Sequence, residues 1–270
     1  MEKHVNPDIS QLLREWPYEA GKLNVRMIQG EDGEPRIQMR LDLGLLQMHA
    51  EGRPDGERPY GFESLLEYYE SLLDEWNQEH GHTASNTPTA EEGGFSLSPE
   101  DCRLLREEAV QYYHRYMALL VLEDYEGVVR DTSRNLRVLD LCARHSAEED
   151  DREALEPFRA YITMMRARAL ASQALKDNEP KAAIHAIDEG LEALRQHFAK
   201  SDEPGAFDAS SEVQMLRGMR EALVPRLPPS PRAELEKRLA KAIAAENYEL
   251  AAILRDEIKQ MGDTPGAARG

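Results

Sequence analysis

Residues 232–261 read RAELEKRLAKAIAAENYELAAILRDEIKQM. Leu235, Leu239, Ala242 and Ile243 recur at three- and four-residue spacing, which sets them along one side of a first helix. Ala251, Ala252, Leu254, Arg255 and Ile258 fall on a second. Between them Glu246-Asn247-Tyr248-Glu249 forms a polar corner whose aromatic ring can cover the open end of a two-helix unit, and paired alanines allow the helices to approach closely. The stretch therefore predicts a helical hairpin. About thirty residues bury too little apolar surface to be very stable alone. A partner protein or the body of the same chain would complete the fold. Arg255 and Asp256 are placed for local ion pairs, each worth well under ~1 kcal/mol when exposed.

Moving outward, Pro225-Arg226-Leu227-Pro228-Pro229-Ser230-Pro231 cannot continue a helix and reads as a stiff spacer. Residues 262–270, with glycine, proline and alanine, read as a loose tail. Residues 99–224 read as wholly helical. Ser98-Pro99-Glu100-Asp101 is a strong helix start: a serine cap, proline at the first helical position and acids near the free amides. Tyr113, Tyr116, Met117 and Leu120 make one face of that helix. A break at Glu123-Asp124 precedes a second helix from Tyr125 to about Cys142. A third runs from about Glu153 to Leu175. After the turn Lys176–Pro180, a fourth spans Lys181 to Phe198, with Ile184, Ile187, Leu191 and Leu194 inward. A loop over Ser201–Ala209 leads to a last helix, Glu212–Leu223.

The N-terminal 1–79 reads as a small mixed α/β unit. Val25–Gln29 is a candidate strand, and Gly30–Pro35 is rich in turn formers. Arg36–Leu43 alternates polar with apolar, placing Ile37, Met39, Leu41 and Leu43 on one sheet face. Leu45–Met48 is a further strand after a bend at Gly44. Phe62, Leu65, Leu66, Tyr69, Leu72, Leu73 and Trp76 predict a helix over 62–78. Residues 80–98 are small and polar with glycine and proline, and read as a flexible linker. The expected class is α+β: a small sheet packed by one helix, a central helical bundle over 99–224, the spacer 225–231 and a C-terminal hairpin over 232–261.

Two helical pairs in the centre resemble tetratricopeptide repeats. In one, Ala167, Leu170, Ala171 and Ala174 occupy the small and apolar positions of a first helix, and Ala183, Ile187 and Gly190 those of a second. In the other, Tyr113, Tyr116 and Leu119 precede Asp124-Tyr125, Val128, Thr132 and Asn135. The pairs lie 55 residues apart, from Val128 to Ala183, which is not one repeat length. A repeat-like bundle is therefore favoured over a superhelix. The resemblance implies a concave peptide-docking face.

The C-terminal hairpin closely resembles the UVR domain of excision-repair subunits B and C, also found in Clp-type ATPases and in activators of protein-arginine kinases. The residues carrying the resemblance are Leu235, Leu239, Glu246, Tyr248, Glu249, Ala251-Ala252, Arg255-Asp256 and Ile258, with tyrosine standing at 248 where phenylalanine is more frequent. It implies protein–protein contact, often between two such hairpins. The implied contact residues are Leu235, Leu239, Tyr248, Ala251, Ala252, Arg255, Asp256 and Ile258. The implied partner is another protein: a UVR-bearing repair subunit, a Clp-type ATPase or a second copy of this chain.

Composition narrows the alternatives. With a net charge of -18 and a pI near 4.9, the chain repels phosphate backbones and anionic membranes unless basic residues segregate. Arg14, Arg26, Arg36, Arg40, Arg53 and Arg58 come closest to a patch, but acids interleave them. Neither direct nucleic-acid binding nor a membrane partner is expected. The N-terminus lacks a signal-peptide pattern, and no run approaches the ~20 apolar residues of a membrane span, so a cytoplasmic location is expected. Cys102 and Cys142 lack zinc-site spacing. The reading favours two buried thiols, with a disulfide as the alternative.

No phosphate-gripping loop, His-Glu-x-x-His, Gly-x-Ser-x-Gly or Cys-x-x-Cys occurs. No catalytic residue, cofactor or metal is expected. His80 and His82 lack further metal ligands, and Asp150-Asp151 reads as a solvated helix cap. One loop offers a competing function: Gly52-Arg53-Pro54-Asp55-Gly56-Glu57-Arg58-Pro59-Tyr60-Gly61 could present Arg53 and Arg58 as a bidentate clamp for a carboxylate or phosphate. Two expectations follow: a non-catalytic adaptor docking through its C-terminal hairpin, or a ligand-binding protein or enzyme using the Arg53/Arg58 loop.

Overall fold

The computed structural model describes residues 8–200, 205–224 and 231–244, with Leu254, Arg255 and Lys259. The chain divides into two units, Met1–Glu221 and Ala222–Gly270.

The first unit begins with a short helix, α1 (Ser10–Glu15), and an antiparallel three-stranded sheet in the order β1-β2-β3. The strands are β1 (Asn24–Gln29), β2 (Pro35–Arg40) and β3 (Leu45–His49), with Val25 opposite Met39 and Ile37 opposite Met48. Turn chemistry sets this register: the Gly30 amide donates to the Glu34 carbonyl and the Glu34 amide to the Asp32 carboxylate. Ile37 and Met39 are buried as the alternation predicts, and Met48, opposite Ile37, is buried with them.

Leu41 and Leu43 depart from it. The strand ends at Arg40, and the Leu41 amide donates to the Gly44 carbonyl to turn the chain, leaving Leu43 87% exposed. The polar face of β2 is not solvated either: Arg36, Gln38 and Arg40 are buried. Arg26, Gln38 and Gln47 form a cross-strand hydrogen-bonded row at 2.8 Å per contact. Trp16 lies against that row, with the Arg26 guanidinium 4.1 Å from its ring and its carbonyl accepting from Arg40.

Helix α2 (Leu65–His80) starts three residues later than its apolar spacing suggests, because Ser64 caps it by accepting from the Glu67 amide. It ends at Gly81, whose φ of 72° favours a residue without a Cβ. Residues 80–98 then fold onto the helical bundle instead of hanging free as a linker. The Ala90 amide donates to the Arg144 carbonyl, the Leu97 amide to His145, and the Ala147 amide returns to Leu97. Thr87 and Leu97 are buried. Backbone pairing ties this polar segment down where side-chain burial would not.

The bundle contains α3 (Pro99–Val121), α4 (Tyr125–His145), α5 (Glu149–Glu153), α6 (Arg159–Lys176), α7 (Pro180–Phe198), α8 (Ala206–Ala209) and α9 (Ser211–Leu223). Ser98 and Asp101 form a reciprocal capping box on α3. Asp124 caps α4 by accepting from the Gly127 amide. The helix expected from Glu153 is split, because Pro157 sits in a separate turn of tight helix over Glu156–Phe158. Asp151 is not a solvated cap: it pairs with Arg106. On α3 the inward stripe is Leu105, Tyr112, Tyr116 and Leu119, so Tyr116 is buried while Tyr113 faces outward. On α7, Ile187 and Leu194 are buried and Ile184 and Leu191 half-buried. Gly190 lets α7 press on α6: a Cβ there would meet the Ala167 Cβ at 2.4 Å. Cys102 and Cys142 are free, buried thiols.

The second unit contains α10 (Pro231–Ala244). No helix among the described residues is long and apolar enough to cross a membrane.

Candidate functional site

Leu235 and Leu239 sit one turn apart on α10, half-buried, and both pack on Leu254, which is 1% exposed. Four-residue spacing on a helix makes such a pair a continuous ridge, and a third leucine closes it into a small apolar knot. Ile243, one turn further along α10, is 47% exposed although its spacing assigned it to the same inward side. Arg255, next to the buried Leu254, is exposed. Tyr248, Ala251, Ala252, Asp256 and Ile258 lie outside the described residues, as does the corner between the two expected helices.

The arginines of the Arg53/Arg58 loop pair with carboxylates of the chain itself. Arg53 Nε lies 3.0 Å from the Glu108 carboxylate, and Asp55 and Glu57 approach its other side at 3.3 and 3.5 Å. Arg58 is exposed and 3.7 Å from Glu63. Four carboxylates therefore neutralise the two arginines. The cavity they share with His49 and Glu51 has a volume of only about 150 Å³. Its acidic lining disfavours an anion.

Glu108 is the hub of a buried charged joint between the sheet and the bundle. Its carboxylate also pairs with Arg134 and accepts from the Leu65 amide at 2.8 Å, placing a negative charge at the N-terminus of α2. Arg115 holds Asp131 with two bonds of 2.7 and 2.8 Å and donates to the carbonyls of Gly52 and His49. Arg130 reaches Asp131, Glu51 and the Ala50 carbonyl. The Tyr112 ring lies between Arg134 and Arg115, at 4.1 and 4.8 Å. Burial pulls the Arg134 guanidinium below its usual range and pushes the Tyr112 phenol up to about 12. The Arg134–Glu108 contact and the ring face act the other way, favouring the charged guanidinium. This joint was not expected from residue types.

A cavity of about 530 Å³ opens between α3, α4 and the start of α6. Tyr116, Leu139 and Ile162 form its floor; Val110, Tyr113 and Phe158 stand exposed at its rim. Burial lowers the His114 pKa there, favouring the neutral ring. Val110, Tyr113 and His114 follow helical spacing on α3, a second apolar stripe beside the buried one that could have signalled this opening. The His80 and His82 rings both stack on Trp76, at 4.2 and 5.5 Å. Among the described residues no group of three potential ligands is placed to hold a metal ion.

A family model described as the UvrB/uvrC motif matches residues 232–263, the segment containing the leucine knot. No curated protein matches the chain, and no solved structure does.

Proposed function

We propose that this chain is a non-catalytic adaptor that docks a partner protein through the hairpin at its C-terminus. The observation carrying this reading is the UvrB/uvrC motif match over 232–263. The knot of Leu235, Leu239 and Leu254, with Ile243 still exposed, supports it. A hairpin of about thirty residues buries too little apolar surface to be very stable alone and gains by adding a second apolar surface. The favoured partner is a protein bearing a similar hairpin, in Clp-type proteolysis or excision repair, or a second copy of this chain. The helical bundle serves as the body that holds another protein, and its open apolar cavity beside Tyr113 and Phe158 suits that role. Internal neutralisation of Arg53 weighs against the ligand-binding or enzymatic alternative.

The test compares full-length protein with a chain ending at Pro231 in affinity capture from lysate. The adaptor reading expects a specific UVR-bearing or Clp-type protein to be lost with the hairpin while the helical circular-dichroism signal of the first unit persists. Identical captures would overturn it.

A further inference from the structure

Cys102 lies in the first turn of α3 and Cys142 in the last turn of α4. Both belong to one buried cluster with Leu97, Leu105 and Val138, against which Phe95 packs. The Cys102 sulfur lies 3.0 Å from Ser146 Oγ and within hydrogen-bonding reach of the Cys142 thiol. The strap 87–97 adds Leu97 to this cluster and packs Phe95 against it, beside Leu65, Leu66 and Tyr69 of α2. It is held across the end of α4 by Arg144 donating to the Thr87 carbonyl, by the Ala90, Leu97 and Ala147 amide bonds, and by His145 against the Phe95 carbonyl. Its tip carries Gly93 and Gly94, and its outer residues Glu91 to Gly93 are exposed. A segment with few buried side chains opens at lower free energy than the helices beneath it.

We propose that Cys102 and Cys142 form an oxidative modification site, closing to an intramolecular disulfide when the strap opens to a peroxide. The Cys102 thiolate attacks one peroxide oxygen and the O–O bond breaks. The leaving oxygen departs as alcohol or water, with the proton Cys102 had released. Cys102 is left as a sulfenic acid. The Cys142 sulfur then attacks the Cys102 sulfur, the S–S bond forms, and the S–O bond breaks. Hydroxide leaves with the Cys142 proton as water. Two thiols are oxidised by two electrons and one peroxide is reduced.

The two sulfurs are suited to different parts. Hydrogen bonds from Cys142 and, more weakly, Ser146 lower Cys102 to about 7 against the effect of burial, while Asp151 opposes and Arg106 assists. The same contact and burial push Cys142 far up, so it stays protonated while Cys102 reacts and gives up its proton only as it attacks the sulfenic sulfur.

The experiment treats reduced full-length protein with hydrogen peroxide and follows free thiols, intact mass and peptide linkage. Loss of both thiols to one intrachain Cys102–Cys142 bond is expected, with a rate rising through a pH near 7 instead of the ~8.5 of an ordinary thiol. Cys142→Ser should stop at a Cys102 sulfenic acid that dimedone traps, whereas Cys102→Ser should leave Cys142 unmodified. Phe95→Ala, which loosens the strap at its half-buried side, should accelerate closure several-fold; Leu97→Ala gives the same readout if Phe95→Ala fails to fold. Thiols that survive peroxide in the folded protein, interchain bonds, or a Phe95→Ala rate equal to wild type would each overturn the proposal.

Discussion

Replacing Asp131 with alanine leaves the Arg115 guanidinium in the interior without its carboxylate. Both side chains are almost fully buried, at 1% and 0% exposure, and are joined by two short bonds. Removing one partner of such a pair costs about 3–5 kcal/mol, since the remaining charge cannot be hydrated. Arg115 keeps its bonds to the carbonyls of Gly52 and His49, which argues for about 4 kcal/mol. With a urea slope of about 3 kcal/mol/M, suited to a unit of this size, the midpoint should fall by ~1.3 M. The assay is urea unfolding followed by far-ultraviolet circular dichroism. Tryptophan fluorescence, reporting on Trp16 beside the sheet and Trp76 on α2, runs in parallel. In wild type the two signals should change together; in Asp131→Ala the fluorescence change should come first, because the joint holding residues 49–52 to α3 and α4 is weakened. The pair Arg115→Met with Asp131→Leu should recover only part of the loss, since the carbonyls that Arg115 satisfies would be orphaned. A midpoint shift below ~0.3 M in the single variant would refute the assignment of a dry, structural ion pair.

Leu254→Ala should remove about 2–4 kcal/mol from the leucine knot and abolish partner capture, leaving first-unit helicity unchanged; retained capture would count against the docking hairpin. Gly190→Val should destabilise by about 1–3 kcal/mol, because its Cβ meets Ala167 Cβ at 2.4 Å and Leu216 Cδ1 at 3.2 Å; a melting temperature equal to wild type would contradict that close approach. Asp101→Asn should cost about 1 kcal/mol by breaking the capping box. Burial acts against the Asp101 charge, but hydrogen bonds from Ser98 and Tyr69 outweigh it and hold its folded pKa below 3.8. The charged form's stabilisation is therefore full above that value and lost as pH falls through the folded pKa. The stability difference between wild type and Asp101→Asn should be flat above pH ~4 and shrink below it, as read from urea midpoints across pH.

What could be read from residue order was local chemistry. The Ser98-Pro99-Glu100-Asp101 start, the corner at Glu123-Asp124 and the turn at Gly30–Pro35 each depend on residues a few positions apart. The motif at 232–263 was legible for the same reason. Contacts across long separations were not. Residues 80–98 resemble a linker by composition, yet backbone bonds to Arg144 and His145 fold them down, and composition does not record where an amide points. Residue type alone does not separate a buried charge from a solvated one, and Glu108 and Asp131 look no different from their exposed neighbours. A clue was present: Glu108, Tyr112 and Arg115 follow helical spacing with Leu105 and Leu119, so they share the buried stripe of α3. The Arg53 anchor was not legible because a basic loop and a loop anchored on an internal carboxylate have the same letters.

The charged joint also sets an order of events during synthesis. Arg130 comes 79 residues after Glu51, the residue it grips, and Arg115 comes 63 after Gly52. At about 5–20 residues per second, the sheet is made roughly 4–16 s before Arg130 arrives. The His49 and Gly52 carbonyls wait for Arg115, and the Ala50 carbonyl waits longer, for Arg130. The link from the sheet to the bundle is therefore closed from the later-made side.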